Sequence, residues 1–474
     1  MKPVEYHVSP YAGSWYPGGA AELEQLVARL FAASEERTGR FVAPAPLGFV
    51  VPHAGLVYSG TVAAAAWRHI CAAQPPRVVV IGFSHRGGPR GCWLPDVSGY
   101  HTPIGDIAVD RESVARLAAT GAFSITQEAA LCDHSVEIQL PLLAYAAPRA
   151  KCVPVYVSRL SCDERRAAAR ALADLARDGA VLVASSDFTH YGRAFNFTPF
   201  PADEWAGDRI RELDESAIEA AGSLRSAMFI ESVCASGATV CGVEPIALLL
   251  DALSELEDGG EVFAETLDYQ ASGEITGDYA HSVSYAALGF FPHRSFEIGC
   301  EDGALLLESA RATLERYLAT GERVPVAARC TAGTDRRATA FVTLHSGGEL
   351  RGCVGRRAAG QPLAKTVPEL ALSAALDDSR FEPVARGEAN LDVEISVLTP
   401  LKLVPGREAF RVNEHGALLE AGHCRGLLLP QVAAERNWTS QQFFEALARK
   451  SGAPASVYDS RDARLSVFRA QILR

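Results

Sequence analysis

Apolar positions fall in two rhythms over the first 300 residues. Leu23, Leu26, Val27, Leu30 and Phe31 recur at helical spacing and predict one helix between Gly19 and Arg37. Short unbroken apolar runs follow at 47–51, 77–82, 151–157 and 180–184, each the length and composition of a buried strand. Helical stretches separate them. Residues 61–73 are Ala-rich, and 163–177 is opened by the capping pair Ser161 and Glu164 and closed by Gly179. Further helices are predicted over 208–221 and 243–256, and a last long strand over 282–291. Continuous apolar strands alternating with helices predict an α/β fold, a mostly parallel sheet with helices on both faces. Ligands in such sheets collect beyond the carboxyl ends of the strands.

After residue 292 the pattern changes. Helices at 305–318, 363–376 and 440–450 mix with strands at 338–344 and 391–398 without strict alternation, which predicts a smaller α+β domain. A chain of 474 residues exceeds one ordinary core. The division expected is therefore residues 1–295 and 296–474.

Composition agrees with this picture, since 48% hydrophobic and 22% charged residues is a globular balance. No apolar run reaches the ~20 residues needed to span a bilayer, and residues 1–16 lack an apolar signal core. The expectation is a cytoplasmic protein that does not enter a membrane. The net charge of −12 divides into about −14 over residues 1–300 and +2 over the rest, which argues against nucleic-acid binding by the acidic part. Arg351, Arg356 and Arg357 lie close together, either as an anion site or as a solvated turn. None of the eleven cysteines forms a CxxC pair, so reduced thiols are expected.

The candidate chemistry sits at the ends of apolar runs. V51-P-H-A-G55 places His53 after one run, and I81-G-F-S-H85 places His85 after another. C241-G242 stands ahead of a helix, and S185-S-D-F-T-H-Y-G192 delivers Asp187 and His190 from a further run. Two imidazoles with one anionic donor and open positions is the pattern of mononuclear non-haem iron sites. A thiolate in the third position is softer, and shifts preference toward copper(I), zinc or an electron-rich iron. The bland alternatives stay open on spacing alone: satisfied polar histidines, a buried Cys241, a hydrogen-bonded Asp187–His190 pair.

Six stretches carry a resemblance: Y11-A-G-S-W-Y16, V51-P-H-A-G55, F83-S-H85, D133-H-S-V-E-I-Q-L-P141, S185 to G192, and C241-G-V-E-P-I246. In order over residues 3–293 they resemble the Memo family, also called AmmeMemoRadiSam system protein B. The resemblance implies a fold like that of class III extradiol dioxygenases. It also implies His53, His85 and Cys241 as metal ligands, with His190 at the acid–base position and Asp187 beside it. Iron(II) is the metal expected first, with copper as the alternative. Cys241 stands where those dioxygenases have a carboxylate, so ring cleavage does not carry over. His134 is expected near the ligands, and Asp187 and Glu137 as partners of the ligating imidazoles.

L350-R-G-C-V-G355, D377-D-S-R-F-E-P383, H415-G-A-L-L-E420 and G426-L-L-L-P-Q431 resemble the AMMECR family, system protein A, over residues 300–474. Cys353 between two glycines is a candidate nucleophile, with Arg351 to lower its pKa and His415 as base; the alternative is a tight turn with a small buried thiol. The family name implies a radical S-adenosylmethionine enzyme as partner. No CxxxCxxC motif occurs here, so that partner is a separate chain. Two functions are expected from these readings. One is a dioxygenase-like or other redox enzyme acting on a small substrate; the other is a non-catalytic metal-binding scaffold for the radical enzyme.

Overall fold

The computed structural model describes residues 6–127, 132–257, 260–356, 360–388, 390–460 and 462–474. The chain divides into two compact units. One comprises Met1–Thr38 with Val42–Ser295, the other Gly39–Phe41 with Phe296–Arg474.

Among the described residues the first unit has the strands β1 (Tyr6–Val8), β2 (Gly48–Val51), β3 (Arg77–Gly82), β4 (Cys92–Pro95), β5 (Gly99–Thr102), β6 (Gly105–Ala108), β7 (Phe123–Thr126), β8 (Lys151–Val157), β9 (Ala180–Ser185), β10 (His190–Gly192), β11 (Val262–Ala271) and β12 (His281–Pro292). Between them run α1 (Ala20–Thr38), α2 (Leu56–Ala73), α3 (Arg111–Ala119), α4 (His134–Glu137), α5 (Gln139–Ala146), α6 (Cys162–Arg177), α7 (Ala206–Gly222), α8 (Ser226–Ser236), α9 (Val243–Ser254) and α10 (Ser272–Thr276). Nine strands form one sheet, in the order β10-β12-β2-β9-β3-β8-β4-β7 with β11 also on β12. Its centre, β2-β9-β3-β8, is parallel throughout. Antiparallel pairings are added on both sides, where β12 meets β2 and β4 meets β8.

These central strands are buried along nearly their whole length, as their continuous apolar runs require. The α1 stripe buries Leu23, Val27 and Leu30. The helix expected at 61–73 begins earlier, at Leu56, and takes in Gly60, where a Cβ would lie 2.5 Å from Leu30. The capping box of Ser161 and Glu164 is present on α6. Because β2, β9 and β3 are adjacent and parallel, their carboxyl ends open on one sheet edge, with β9 in the middle.

The second unit holds α11 (Cys300–Thr320), β13 (Ala340–Ser346), β14 (Glu349–Arg356), α12 (Leu363–Leu376), β15 (Leu391–Leu398), β16 (Lys402–Val404), β17 (Gly416–Ala421), β18 (Cys424–Leu428), α13 (Pro430–Arg436), α14 (Ser440–Ser451), β19 (Arg464–Phe468) and β20 (Ala470–Leu473). They make two four-stranded antiparallel sheets, β14-β13-β15-β20 and β16-β19-β17-β18. Each sheet has its own apolar core. Leu306, Leu370 and Ile395 lie in the first, and Leu419, Phe443 and Leu447 in the second. All eleven cysteines are free thiols. Among the described residues no helix is long and apolar enough to cross a membrane.

Candidate metal centre

His53 follows β2, His85 follows β3, and Cys241 precedes α9. Their ligand atoms all lie within 4.8 Å of one another. His53 Nε2 is 3.2 Å from Cys241 Sγ, and the His53 and His85 rings meet edge to face at 5.4 Å. His53 is buried, whereas His85 is exposed, so the centre opens on the His85 side.

Each imidazole is held through its other nitrogen. His85 Nδ1 lies 2.9 Å from Asp133 Oδ1, and the His85 backbone N–H donates to Asp133 Oδ2 at 3.1 Å. His53 Nδ1 lies 3.3 Å from Ser185 Oγ, which also accepts from Gln139 Nε2. With Nδ1 carrying the proton in both rings, both Nε2 lone pairs are free. Burial, followed by the neighbouring His85, pushes His53 down to about 3, so it is neutral. Burial opposes ionisation of Asp133, but the bond to His85, the charge of His134 and the Ser135 amide outweigh it and hold the carboxyl at about 2. Burial, aided by Asp187, pushes the Cys241 thiol well above its usual range. The Asp187 N–H nevertheless points at Sγ from 3.2 Å, a donor suited to a thiolate. Gly242 permits this approach, since a Cβ there would lie 2.5 Å from Ser186. Two imidazoles and a thiol whose ionisation awaits a cation form a donor set that fits a soft or borderline metal.

His134 stacks on His85 at 4.2 Å and on Trp15 at 4.2 Å, and its Nδ1 is 3.3 Å from Asp133 Oδ1. Burial pushes it down to about 3 as well. His190 follows β9 and forms the first residue of β10. Its Nδ1 lies 2.9 Å from the Phe188 carbonyl and 3.1 Å from that of Thr239. Carbonyls only accept, so Nδ1 carries the proton and Nε2 is left as a base. A cleft of about 180 Å³ runs past Cys241, with Phe83, Trp93, Val243 and Glu244 among its walls.

Two expected partnerships with ligating imidazoles are replaced by others. Asp187 is expected beside His190 and as partner of a ligating imidazole; it lies within charge range of His190, but its Oδ1 accepts the backbone N–H of His53 at 2.7 Å and of Ala54 at 3.3 Å rather than a ring N–H. It thereby fixes the loop that presents His53, while backbone carbonyls orient His190. Glu137 was expected beside a ligating imidazole and pairs with His7 at 3.0 Å. The partners that do hold the ligand rings, Asp133 and Ser185, lie inside two of the quoted motifs, but no short spacing links Asp133 to His85 or Ser185 to His53.

In the second unit Cys353 lies on β14 opposite Thr343, whose Oγ1 donates to Sγ at 3.3 Å. Its N–H donates to Asp378 Oδ2 at 2.8 Å, and Arg380 donates to its carbonyl. Arg351, expected to act on the thiol, forms a two-pronged pair with Glu388. His415 is buried and accepts the Arg411 N–H at Nδ1, beside Phe410 in the loop ahead of β17. The expected Cys353–His415 pair is thus not built. Gly352 is required because a Cβ there would meet the Ala374 carbonyl at 2.0 Å. Of the arginine cluster, Arg351 pairs with Glu388 and Arg356 with Glu369, and Arg357 lies outside the described residues.

The Memo-like protein family model matches residues 8–289, and the AMMECR1 model matches residues 307–473. The memo-1 homolog of Caenorhabditis elegans is 30% identical over 60% of this chain and 82% of its own length. A MEMO1 family protein of Methanopyrus kandleri is 30% identical over 59% of this chain and 96% of its own. MEMO1 of Xenopus laevis is 32% identical over 60% and 96%. Two solved structures of uncharacterized proteins align at a TM-score of 0.35, too low to bear on the fold. One, from Pyrococcus horikoshii, has 34% identity over 37% of this chain and 92% of its own. The other, from Escherichia coli K12, has 15% identity over 51% and 98%. The chain belongs to the Memo family, and an AMMECR1 domain follows the Memo-like part in the same polypeptide.

Proposed function

We propose that the Memo-like unit is a metal-dependent oxidoreductase for a small substrate, holding iron(II), or alternatively copper, between His53, His85 and Cys241. The observation that carries this reading is the convergence of those three ligand atoms within 4.8 Å at one sheet edge. A bound ferrous ion would supply Lewis acidity and an electron for dioxygen or another oxidant. The protein's own residues do the rest. Asp133 and Ser185 hold the two imidazoles at Nδ1, so that Nε2 would be left for the ion, and Asp187 fixes the backbone that presents His53. His190, its Nδ1–H anchored on two carbonyls, takes or returns a proton at Nε2. His134 stacks on His85 at 4.2 Å and Trp15 packs on His134 at 4.2 Å, which fixes the exposed His85 ring.

The test is oxygen consumption by anaerobically iron-loaded protein, with catechol-like compounds and fractions of cell extract as substrates. Turnover by wild type that is lost in His190→Ala with iron content retained supports the enzyme. A wild type that consumes no oxygen above buffer, yet binds a radical S-adenosylmethionine enzyme with metal-dependent affinity, supports the scaffold instead.

A further inference from the structure

A second convergence of donors lies behind this centre. His7, on β1, faces Glu137 at the end of α4, with Nε2 3.0 Å from Oε1. Cys132, just ahead of the Asp133 cap of α4, completes a group whose three ligand atoms lie within 4.8 Å of one another. Cys132 is buried and Glu137 wholly so. The His7 bond satisfies one Glu137 oxygen. The other, Oε2, is buried with no hydrogen-bond partner. An orphaned carboxylate oxygen in the interior is costly and calls for a missing group.

We propose that His7, Cys132 and Glu137 form a second metal site, a structural zinc(II) site distinct from the His53–His85–Cys241 centre. Zinc accepts nitrogen, sulfur and oxygen donors together. A dication with one thiolate, one carboxylate and one neutral imidazole carries no net formal charge, which suits a buried position. Bonds of about 2.0–2.3 Å place ligand atoms about 3–4 Å apart around a common ion, so the group needs only a small closure. Glu137 Oε2 supplies a further donor from within the same side chain. The site would clip β1 onto α4, whose cap Asp133 holds His85. This inference does not depend on the function proposed above.

The experiment uses the full chain carrying Cys241→Ala, which disables the other centre. Zinc is titrated against a chromophoric chelator, and cobalt(II) is substituted for its absorption spectrum. The site predicts one tightly held equivalent of zinc and a thiolate-to-cobalt charge-transfer band. Adding His7→Gln, at a partly exposed position where Gln still reaches Glu137, should weaken zinc at least tenfold and abolish the band. Cys132→Ala should do the same. Should that buried change prevent folding, His7→Gln with an unchanged metal-free melting curve decides alone. No retained zinc in the Cys241→Ala protein overturns the site. So does zinc or a cobalt band that survives His7→Gln, which would indicate adventitious binding by other thiols.

Discussion

His85 Nδ1 and Asp133 Oδ1 lie 2.9 Å apart, joining the end of β3 to the cap of α4 across 48 positions of sequence. That contact sets the tautomer and the direction of the ring. Asp133→Asn should lower metal affinity about 10–100-fold, the usual effect of losing such a carboxylate. Asn can still cap the helix through its oxygen, but its NH2 would face an N–H donor that a carboxylate oxygen now accepts, so the melting temperature of the metal-free protein should also fall. Chelator competition together with a thermal melt checks both halves.

Stability should fall in acid for a definite reason. His53 and His134 are pushed to about 3 and His69 to about 4, all chiefly by burial. The unfolded chain binds protons at these rings near pH 6.5, whereas the folded protein refuses them until far lower. Stability is therefore full above about pH 6.5 and declines as pH drops toward 4, by at most about 1.4 kcal/mol per pH unit for each ring. His69, whose Nδ1 lies 3.3 Å from the Ala43 carbonyl, has a different partner from His53 and His85. His69→Gln in metal-free protein should reduce the slope by up to that amount, as read from urea midpoints between pH 7 and 4.5.

How much of this was legible in sequence varies with length and range. The runs at Arg77–Gly82 and Lys151–Val157 are continuous and β-branched, and the structure has strands there. The three- and four-residue strands β1, β5 and β10 are too short to show a period. The ten-residue β11 carries Glu265 and Asp268 and a bulge between Thr266 and Asp268, which break its alternation. In the candidate centre, residue type and motif pointed to His53, His85 and Cys241, but pairings such as His85 with Asp133, 48 positions apart, leave no local pattern.

The glycine before Cys353 answers to packing. Gly352→Ala would drive a Cβ against the Ala374 carbonyl of α12 and should cost about 1–3 kcal/mol, as overpacking does. Cys353→Ser should cost less, because Thr343 Oγ1 can hydrogen-bond the new hydroxyl. Denaturant midpoints of the two variants give the comparison. If Cys353 is also a nucleophile, wild type should react with iodoacetamide at this thiol ahead of the exposed Cys300 and Cys330.

His190→Ala should leave iron content near wild type and lower any oxygen-consuming turnover about 10²–10⁴-fold, the usual contribution of an acid–base group. Asp187→Asn should act differently, since Asp187 holds the His53 backbone: it should weaken metal binding as well as turnover.

The central claim is one metal at His53, His85 and Cys241, and anaerobic iron(II) titration of Cys241→Ser beside Cys234→Ser tests it most directly. Cys234 is exposed on α8 and serves as the thiol control. Wild type and Cys234→Ser should each bind one equivalent of iron(II), while Cys241→Ser should lose it by more than tenfold in affinity. Equal loss in both variants, or full retention in Cys241→Ser, would contradict the account.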